Sequence, residues 1–257
     1  MTKQSQKDFG PIADDYSFFE QHATEADSDA QAYAVRLGDV SAGGGAIRML
    51  DFGCGSGTFT ERLLRLAGWP AGRLRLTLVE PVESVRREAV ERLAGFSAAP
   101  IVDSATLPTD ATRGFEFVLA NHVLYYVDDV RRSVAALVEA VAPSGVLATA
   151  IAGRANALIE IWIAAFALVG REVPYHTSED VEAALVALGA PYEKESVPYE
   201  LAFADSEENR MRIIRFLLAE HLDEMPAEAL VAMFDRYSSG GEVRVRTASD
   251  HYTVRGR

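Results

Sequence analysis

The feature that most constrains the fold is a run of glycines at positions 53, 55 and 57, between an apolar segment and an amphipathic one. Residues 47–52 predict a buried strand, and residues 58–67 carry large apolar side chains at helical spacing. Glycines at such a strand-to-helix turn allow a tight backbone conformation and a close approach to a ligand, because no Cβ stands in the way. The segment therefore predicts a ligand-binding turn at one edge of a sheet.

Strands and helices alternate through the following hundred residues. Predicted strands cover 73–80, 100–102, 115–120 and 145–151, and predicted helices cover 82–93 and 130–141. This alternation favours right-handed βαβ units and a parallel sheet.

The pattern changes after residue 152. Predicted helices cover 159–169, 178–188 and 210–222, a strand interrupted by Pro198 covers 192–203, and 242–247 with 252–255 predicts one bent strand or a hairpin. Residues 1–40 are mostly helical in pattern. We therefore expect one domain over 1–257, in which 1–40 and 153–257 cover the substrate side of a core at 46–152.

The glycine turn identifies a family. Its spacing, G-x-G-x-G, is one residue shorter than the dinucleotide pattern, and Asp51 precedes the first glycine, which suits a ligand without a pyrophosphate. Residues 50–58 resemble motif I of the class I S-adenosylmethionine-dependent methyltransferases. The resemblance implies a Rossmann-like, seven-stranded, mostly parallel α/β sheet with helices on both faces, and S-adenosylmethionine as the cofactor, released as S-adenosylhomocysteine.

The cofactor residues follow from the ends of the predicted strands. Glu80, followed by Pro81, can accept hydrogen bonds from both hydroxyls of a ribose. By resemblance to the family, Asp103 or Ser104 contacts the adenine and Asn121 faces the methionine part. Cys54 is interpreted as a small filler within the turn. The complete set is Asp51, Gly53, Cys54, Gly55, Gly57, Glu80, Pro81, Asp103, Ser104 and Asn121.

Three further segments, 19–25, 124–129 and 176–193, resemble the histamine N-methyltransferase family. The resemblance implies that Glu25 holds the cationic amine of the substrate, through a charge-assisted hydrogen bond. Aromatic walls that attract a cation are then expected from Tyr16, Phe19, Tyr125 and Tyr126.

Two positions depart from that family. His122 stands where it has a glutamine, and Thr247 where it has an asparagine in its final strand. Both positions contact the substrate in the family, so the changes argue against histamine itself and leave a small amine or another nitrogen nucleophile. His122 is the expected base or hydrogen-bond orienter, with Glu25 as its catalytic partner. The remaining histidines, among them His251, stand isolated in the sequence.

The amino-acid composition argues against several classes of protein. A net charge of −13, from 38 acidic and 25 basic residues, argues against nucleic acid as a partner. The single cysteine fits a reducing, cytoplasmic location, and the most apolar stretch is too short to span a bilayer.

We expect that the protein binds no metal ion and that it is a monomer or a weak homo-oligomer. The alternatives are an O- or C-methyltransferase of secondary metabolism, or a non-catalytic protein that only binds S-adenosylmethionine.

Overall fold

A computed structural model describes residues 7, 10–41, 45–69, 72–107 and 114–256, without the side chains of residues 38–41. Its main sheet has the strand order β3-β2-β1-β4-β5-β8-β6, and the two-residue β7 pairs with β8. The strands are β1 (Ile47–Phe52), β2 (Leu74–Val79), β3 (Val102–Ser104), β4 (Phe115–Asn121), β5 (Val141–Ile151), β6 (Tyr192–Ala204), β7 (Ser238–Ser239) and β8 (Glu242–Arg255).

Two helices precede β1, and the others lie between later strands. They are α1 (Ala13–His22), α2 (Glu25–Ser41), α3 (Thr58–Ala67), α4 (Glu83–Leu93), α5 (Val130–Ala140), α6 (Ala157–Leu168), α7 (Ser178–Ala187), α8 (Glu207–Leu218) and α9 (Ala227–Ala232). Within the described part of the chain, none of these helices combines the length and apolar character that crossing a membrane requires.

The central strands are apolar on both faces, as strands covered by helices on each side should be. In β1, for example, Ile47, Met49 and Leu50 are fully buried. Strands β1 to β5 pair in parallel, and β8 runs antiparallel to both β5 and β6. The seven-stranded, mostly parallel α/β prediction is confirmed.

The chain reverses its strand order at β1, which lies between β2 and β4. In open parallel sheets, ligands bind outside the carboxyl ends of the strands at such a point. The glycine turn follows β1 and residues 122–126 follow β4, so the topology brings these two segments to the same crevice.

Two predicted interruptions are absent from the last third. Strand β6 continues through Pro198, because β6 is an edge of the sheet and a missing N–H costs no ladder bond on its open side. Strand β8 is a single strand, the first of its two predicted alternatives, and the hairpin alternative is wrong, since β6 pairs with β8 from Glu242 to Val254. The short third strand begins at Val102, two residues later than its predicted start.

Candidate functional site

The glycine turn after β1 adopts a conformation that only glycine tolerates well. Gly53, Gly55 and Gly57 have φ values of +78°, +53° and +78°. A Cβ on Gly53 would lie 2.2 Å from Cγ2 of Val123, so the first glycine lets the segment after β4 approach the turn. A Cβ on Gly55 would meet nothing within 4 Å. The turn is therefore tightly packed at Gly53 and open at Gly55.

Asp51 and Cys54 support this turn from within the protein. Asp51 is buried and accepts a hydrogen bond from Thr60, which joins the end of β1 to α3. Burial raises the pKa of Asp51 to about 7. Burial also raises the pKa of the Cys54 thiol, which favours the unreactive thiol form and fits its interpretation as a filler.

The carboxyl end of β2 carries an oriented carboxylate. Oε1 of Glu80 accepts the backbone N–H of Val82 at 2.9 Å, and the Glu80 N–H donates to the carbonyl of Ser104 at 3.1 Å. Arg86 donates to Oδ1 of Asp103 at 2.8 Å, so the side chain of Asp103 is already paired. Pro81 follows Glu80 at the exposed surface.

These residues fit S-adenosylmethionine. Gly55 leaves room over the turn for a ligand that approaches the backbone, and Glu80 stands at the strand end where ribose hydroxyls are bound in such sheets. The cofactor-binding role of each of these residues, and of Pro81, Asp103 and Ser104, stays a prediction.

One face of α2 carries polar side chains that contact the end of β4 and the residue after it. Glu25, Asp29 and Tyr33 are four residues apart and therefore share that face. The Tyr33 hydroxyl donates to Oδ1 of Asn121 at 2.9 Å, and Nδ2 of Asn121 lies 3.5 Å from Oδ2 of Asp29. The end of β4 is thereby attached to α2, with Asn121 in the contact.

His122 lies at the centre of this cluster. Its φ of +51° is unusual for a residue other than glycine and marks a constrained position. Nε2 lies 2.9 Å from Oδ2 of Asp29 and 3.6 Å from Oε1 of Glu25, and Nδ1 lies 3.1 Å from the Tyr125 hydroxyl. Burial opposes a charge on His122, but the Glu25 and Asp29 carboxylates outweigh it and raise its pKa to about 9. His122 therefore carries a proton at neutral pH.

Asp29 bridges two imidazoles. Its second oxygen, Oδ1, lies 2.8 Å from Nε2 of His251, and both residues are almost completely buried. Burial favours the neutral acid, but the His122 and His251 interactions outweigh it and lower the pKa of Asp29 to about 2. Sequence analysis missed Asp29, and it left His251 isolated although β8 carries this residue into the cluster.

Glu25 is the second carboxylate of the cluster. The hydroxyl of Ser249 donates to Oε1 of Glu25 at 3.2 Å. Burial raises the pKa of Glu25, while the charge of His122 acts in the opposite direction. Thr247, the position predicted for this strand, instead accepts the N–H of Ala157 at 3.0 Å, at the start of α6. Ser249, two residues along the same strand face, contacts Glu25 in its place, and the Tyr199 side chain also hydrogen-bonds to Glu25.

The predicted aromatic walls divide into two groups. Tyr125 stacks on His122, with ring centroids 6.0 Å apart, and Tyr126 packs 5.5 Å from Tyr125. Phe19 is buried and stacks on Phe216 at 4.6 Å. Tyr16 is more than a third exposed and packs 5.5 Å from the same Phe216 ring. Substrate contact by each of them stays a prediction.

Metal binding has no support from these side chains. No group of three histidine, cysteine, aspartate or glutamate residues in the described part of the chain is arranged to hold a metal ion. The carboxylates of the cluster are engaged by imidazoles instead.

Comparison with known proteins identifies the core. Residues 50–147 match the family model described as a methyltransferase domain. A trans-aconitate 2-methyltransferase of Rhodopseudomonas palustris (strain BisA53) is 32% identical over 114 residues, which are 44% of this chain and 42% of the relative's length. The match therefore spans less than half of that curated relative.

Solved structures share the fold at low sequence identity. The YcgJ protein of Bacillus subtilis has a TM-score of 0.54 at 13% identity, covering 88% of this chain and 99% of its own. A Thermotoga maritima protein, described as a possible histamine N-methyltransferase, has a TM-score of 0.51 at 16% identity, covering 97% and 98%. Residues 50–147 are therefore similar to methyltransferase domains, and they lie in a chain whose glycine turn and strand order belong to the fold that these solved structures share.

Proposed function

We propose that this protein transfers a methyl group from S-adenosylmethionine to a small-molecule acceptor, an amine or imidazole nitrogen. The observation that carries the proposal is the buried Glu25–His122–Asp29 cluster beside the glycine turn. Asp29 is already engaged by the imidazoles of both His122 and His251, which leaves Glu25 as the carboxylate that an acceptor can meet. A cationic acceptor would pair with Glu25 in a site where water screens the interaction poorly.

Glu25 is the better placed of the two carboxylates to meet an acceptor. Its side chain keeps 14% of its surface exposed, whereas that of Asp29 keeps 1%. Glu25 also lies farther from His122, at 3.6 Å against 2.9 Å. We therefore assign the amine-holding role to Glu25 and the orientation of His122 to Asp29.

The chemistry needs alignment more than a strong base. Bound S-adenosylmethionine supplies a methyl group already activated by its sulfonium charge. The carbon–sulfur bond breaks as the new carbon–nitrogen bond forms, the sulfur keeps the electron pair, and the nitrogen loses one proton. The protein holds the acceptor nitrogen in line through Glu25 and excludes water with the segments that cover the site.

His122 can accept the proton of the acceptor nitrogen only after its own pKa has fallen. Because its pKa is about 9, it cannot accept a proton at neutral pH until another positive charge enters the cluster. An ammonium on Glu25 takes over part of the charge that holds the proton on His122, so the pKa of His122 falls as the acceptor binds. His122 then orients the nitrogen and receives its proton above neutral pH.

The trans-aconitate relative supports a second candidate, O-methylation of a carboxylate. The similarity covers 44% of this chain, however, and trans-aconitate is a tricarboxylate. Such an acceptor would meet Glu25 and Asp29 as like charges, which is unfavourable in a poorly screened site. The cluster thus favours a nitrogen acceptor over a carboxylate.

An acceptor screen tests the proposal. The purified protein is incubated with S-adenosylmethionine and pooled amines, imidazoles, phenols and carboxylates including trans-aconitate. S-adenosylhomocysteine is measured, and products are identified by mass spectrometry. We expect a methylated amine or imidazole. Methylation confined to carboxylates, phenols or carbon centres would overturn the nitrogen proposal, and no turnover with any pool would favour a protein that only binds the cofactor.

Variants then separate substrate binding from folding. Glu25→Gln should weaken the acceptor while leaving cofactor affinity in calorimetry unchanged. Asp27→Asn is the matched control, because Asp27 lies on the same helix but pairs with Arg62 at the exposed surface, 3.1 Å away.

A further inference from the structure

Lys7 is a buried cation that the proposed mechanism does not use. The residue is only 4% exposed, and its ammonium donates to the carbonyl oxygen of Phe216 and, at 3.4 Å, to that of Leu217. Both carbonyls belong to the last turn of α8, the end at which a helix dipole is negative. The backbone of α8 therefore offers a site for positive charge.

Three aromatic rings surround the same ammonium. Nζ of Lys7 lies 4.7 Å from the ring centre of Phe216, 5.6 Å from that of Tyr126 and 5.9 Å from that of Trp162. We call these three side chains the aromatic cage. Trp162 is held in place because its Nε1 donates to the carbonyl of Leu217 at 2.7 Å. Rings at these distances attract a cation through their faces, and cages of this kind suit alkylated ammonium groups.

A further polar group borders the cage. Tyr175 is 8% exposed, its ring lies 4.9 Å from Trp162 and 5.3 Å from Tyr126, and its hydroxyl has no hydrogen-bond partner among the described residues. Unpaired buried hydroxyls are uncommon because they cost free energy. This hydroxyl is available to a polar occupant of the region.

Lys7 is an imperfect occupant of the cage. Its burial outweighs the attraction of Glu220 and lowers the pKa of the lysine to about 7. The surroundings thus stabilise the ammonium less well than water does. An alkylated ammonium has a weaker hydration shell to lose, so its burial costs less, and it still meets the faces of the same rings and the negative end of the α8 dipole.

The cage adjoins the cluster described above. Tyr126 follows His122 in the segment after β4, and both Tyr126 and Trp162 pack on Tyr125, whose hydroxyl contacts His122. We propose that Tyr126, Trp162 and Phe216 form an alkylammonium subsite, which Lys7 fills in the free protein and a cationic acceptor takes over. That the occupant is the methyl acceptor rests on the proposed function; that the cage binds an alkylammonium does not.

A binding experiment without S-adenosylmethionine tests the subsite by itself. Choline and its uncharged carbon isostere, 3,3-dimethylbutan-1-ol, are titrated into the full chain by calorimetry. The proteins are the native chain, Lys7→Met, and Lys7→Met combined with Phe216→Leu. Arg212→Met is the control, because Arg212 also lies over an aromatic ring, that of Phe18 at 4.3 Å, but outside the cage.

We expect Lys7→Met to bind choline at least tenfold more tightly than the native chain, because the competing ammonium is gone. Addition of Phe216→Leu should remove most of that gain, and Arg212→Met should bind choline as the native chain does. The isostere should bind Lys7→Met at least tenfold more weakly than choline. Equal binding of choline by the native chain and Lys7→Met, or equal binding of the two probes by Lys7→Met, would overturn the subsite.

Thermal unfolding of each variant accompanies the titrations. If Phe216→Leu fails to fold, Tyr126→Leu in the Lys7→Met background provides the same comparison from another wall of the cage. A failed acceptor screen together with tight choline binding would reject the proposed function alone.

Discussion

Replacement of Asp29 by asparagine tests the electrostatic account of the cluster most directly. The variant keeps the size and polarity of the side chain but removes the charge 2.9 Å from His122 and 2.8 Å from His251. Glu25 remains at 3.6 Å from His122. The pKa of His122 should therefore fall from about 9 toward its ordinary value of 6.5.

The size of the stability change follows from the same pKa. An increase from 6.5 to about 9 corresponds to roughly 3 kcal/mol of preference for the protonated folded state, which Glu25 and Asp29 provide together, so this figure is an upper value for the His122 share of Asp29 alone. Loss of one partner from a buried ion pair costs about 3–5 kcal/mol in other proteins, which is the same order. We expect Asp29→Asn to lower the free energy of unfolding by about 3 kcal/mol at pH 6.5.

The pH dependence has a defined sign. His122 has a raised pKa in the folded state, so its contribution is complete below pH 6.5 and is lost as the pH rises through about 9. Asp29 has a lowered pKa, so its contribution is present above 3.8 and is lost as the pH falls through about 2. The cost of Asp29→Asn should therefore be smaller at pH 9.5, where the ionised Asp29 faces a His122 ring that has lost most of its charge.

Urea unfolding at pH 6.5 and 9.5, with NMR titration of the His122 ring, measures both quantities. Asp27→Asn is the control, because its exposed ion pair with Arg62 is expected to contribute less than about 1 kcal/mol at either pH. A cost of Asp29→Asn that is the same at both pH values, or a His122 pKa that stays near 9 in the variant, would refute the reasoning.

Further variants separate the cofactor turn from the acceptor site. Gly53→Ala should destabilise the fold by about 2–5 kcal/mol in urea unfolding, because of backbone strain and the clash with Val123. A second substitution, Val123→Ala, should recover the part of this loss that comes from the clash. Gly55→Ala should cost only about 1–2 kcal/mol of strain, since its Cβ meets nothing; equal costs would contradict the geometry. Glu25→Gln should raise KM for a cationic acceptor about tenfold or more at unchanged cofactor Kd, whereas an unchanged KM would exclude the amine-holding role. In steady-state assays, log kcat/KM should rise with pH up to about 9, and His122→Gln should flatten that rise; an unchanged profile would exclude His122 as the titrating group.

The core of the fold could be predicted because its strands and helices have apolar residues at spacings that are visible in short segments of the sequence. The glycine turn, the apolar strands and the amphipathic helices are each recognisable within about ten residues. The last third was less predictable, since Pro198 and the length of β8 depend on which strand lies at the sheet edge. That order is a tertiary property, and no local pattern in 192–255 encodes it.

The site divides in the same way. Glu25 and His122 were predicted from resemblance, and the structure brings them within 3.6 Å. Asp29 had a usable signal, because its spacing of four from Glu25 puts both carboxylates on one helix face. His251 and Ser249 had none, because they enter the cluster only when β8 inserts between β5 and β6.

The acidic composition of the chain and the charge of the site point in one direction for different reasons. A net charge of −13 spread over the surface is screened within about 8 Å at physiological salt, so it attracts cations weakly. The carboxylates of Glu25 and Asp29 are shielded from solvent, and Asp29 is already engaged by His122 and His251. Under the proposed function, these local carboxylates, rather than the overall charge, give a cationic acceptor its advantage over a carboxylate. The protonated His122 limits that advantage, because the positive charge of the acceptor is accommodated fully only when His122 has lost its proton.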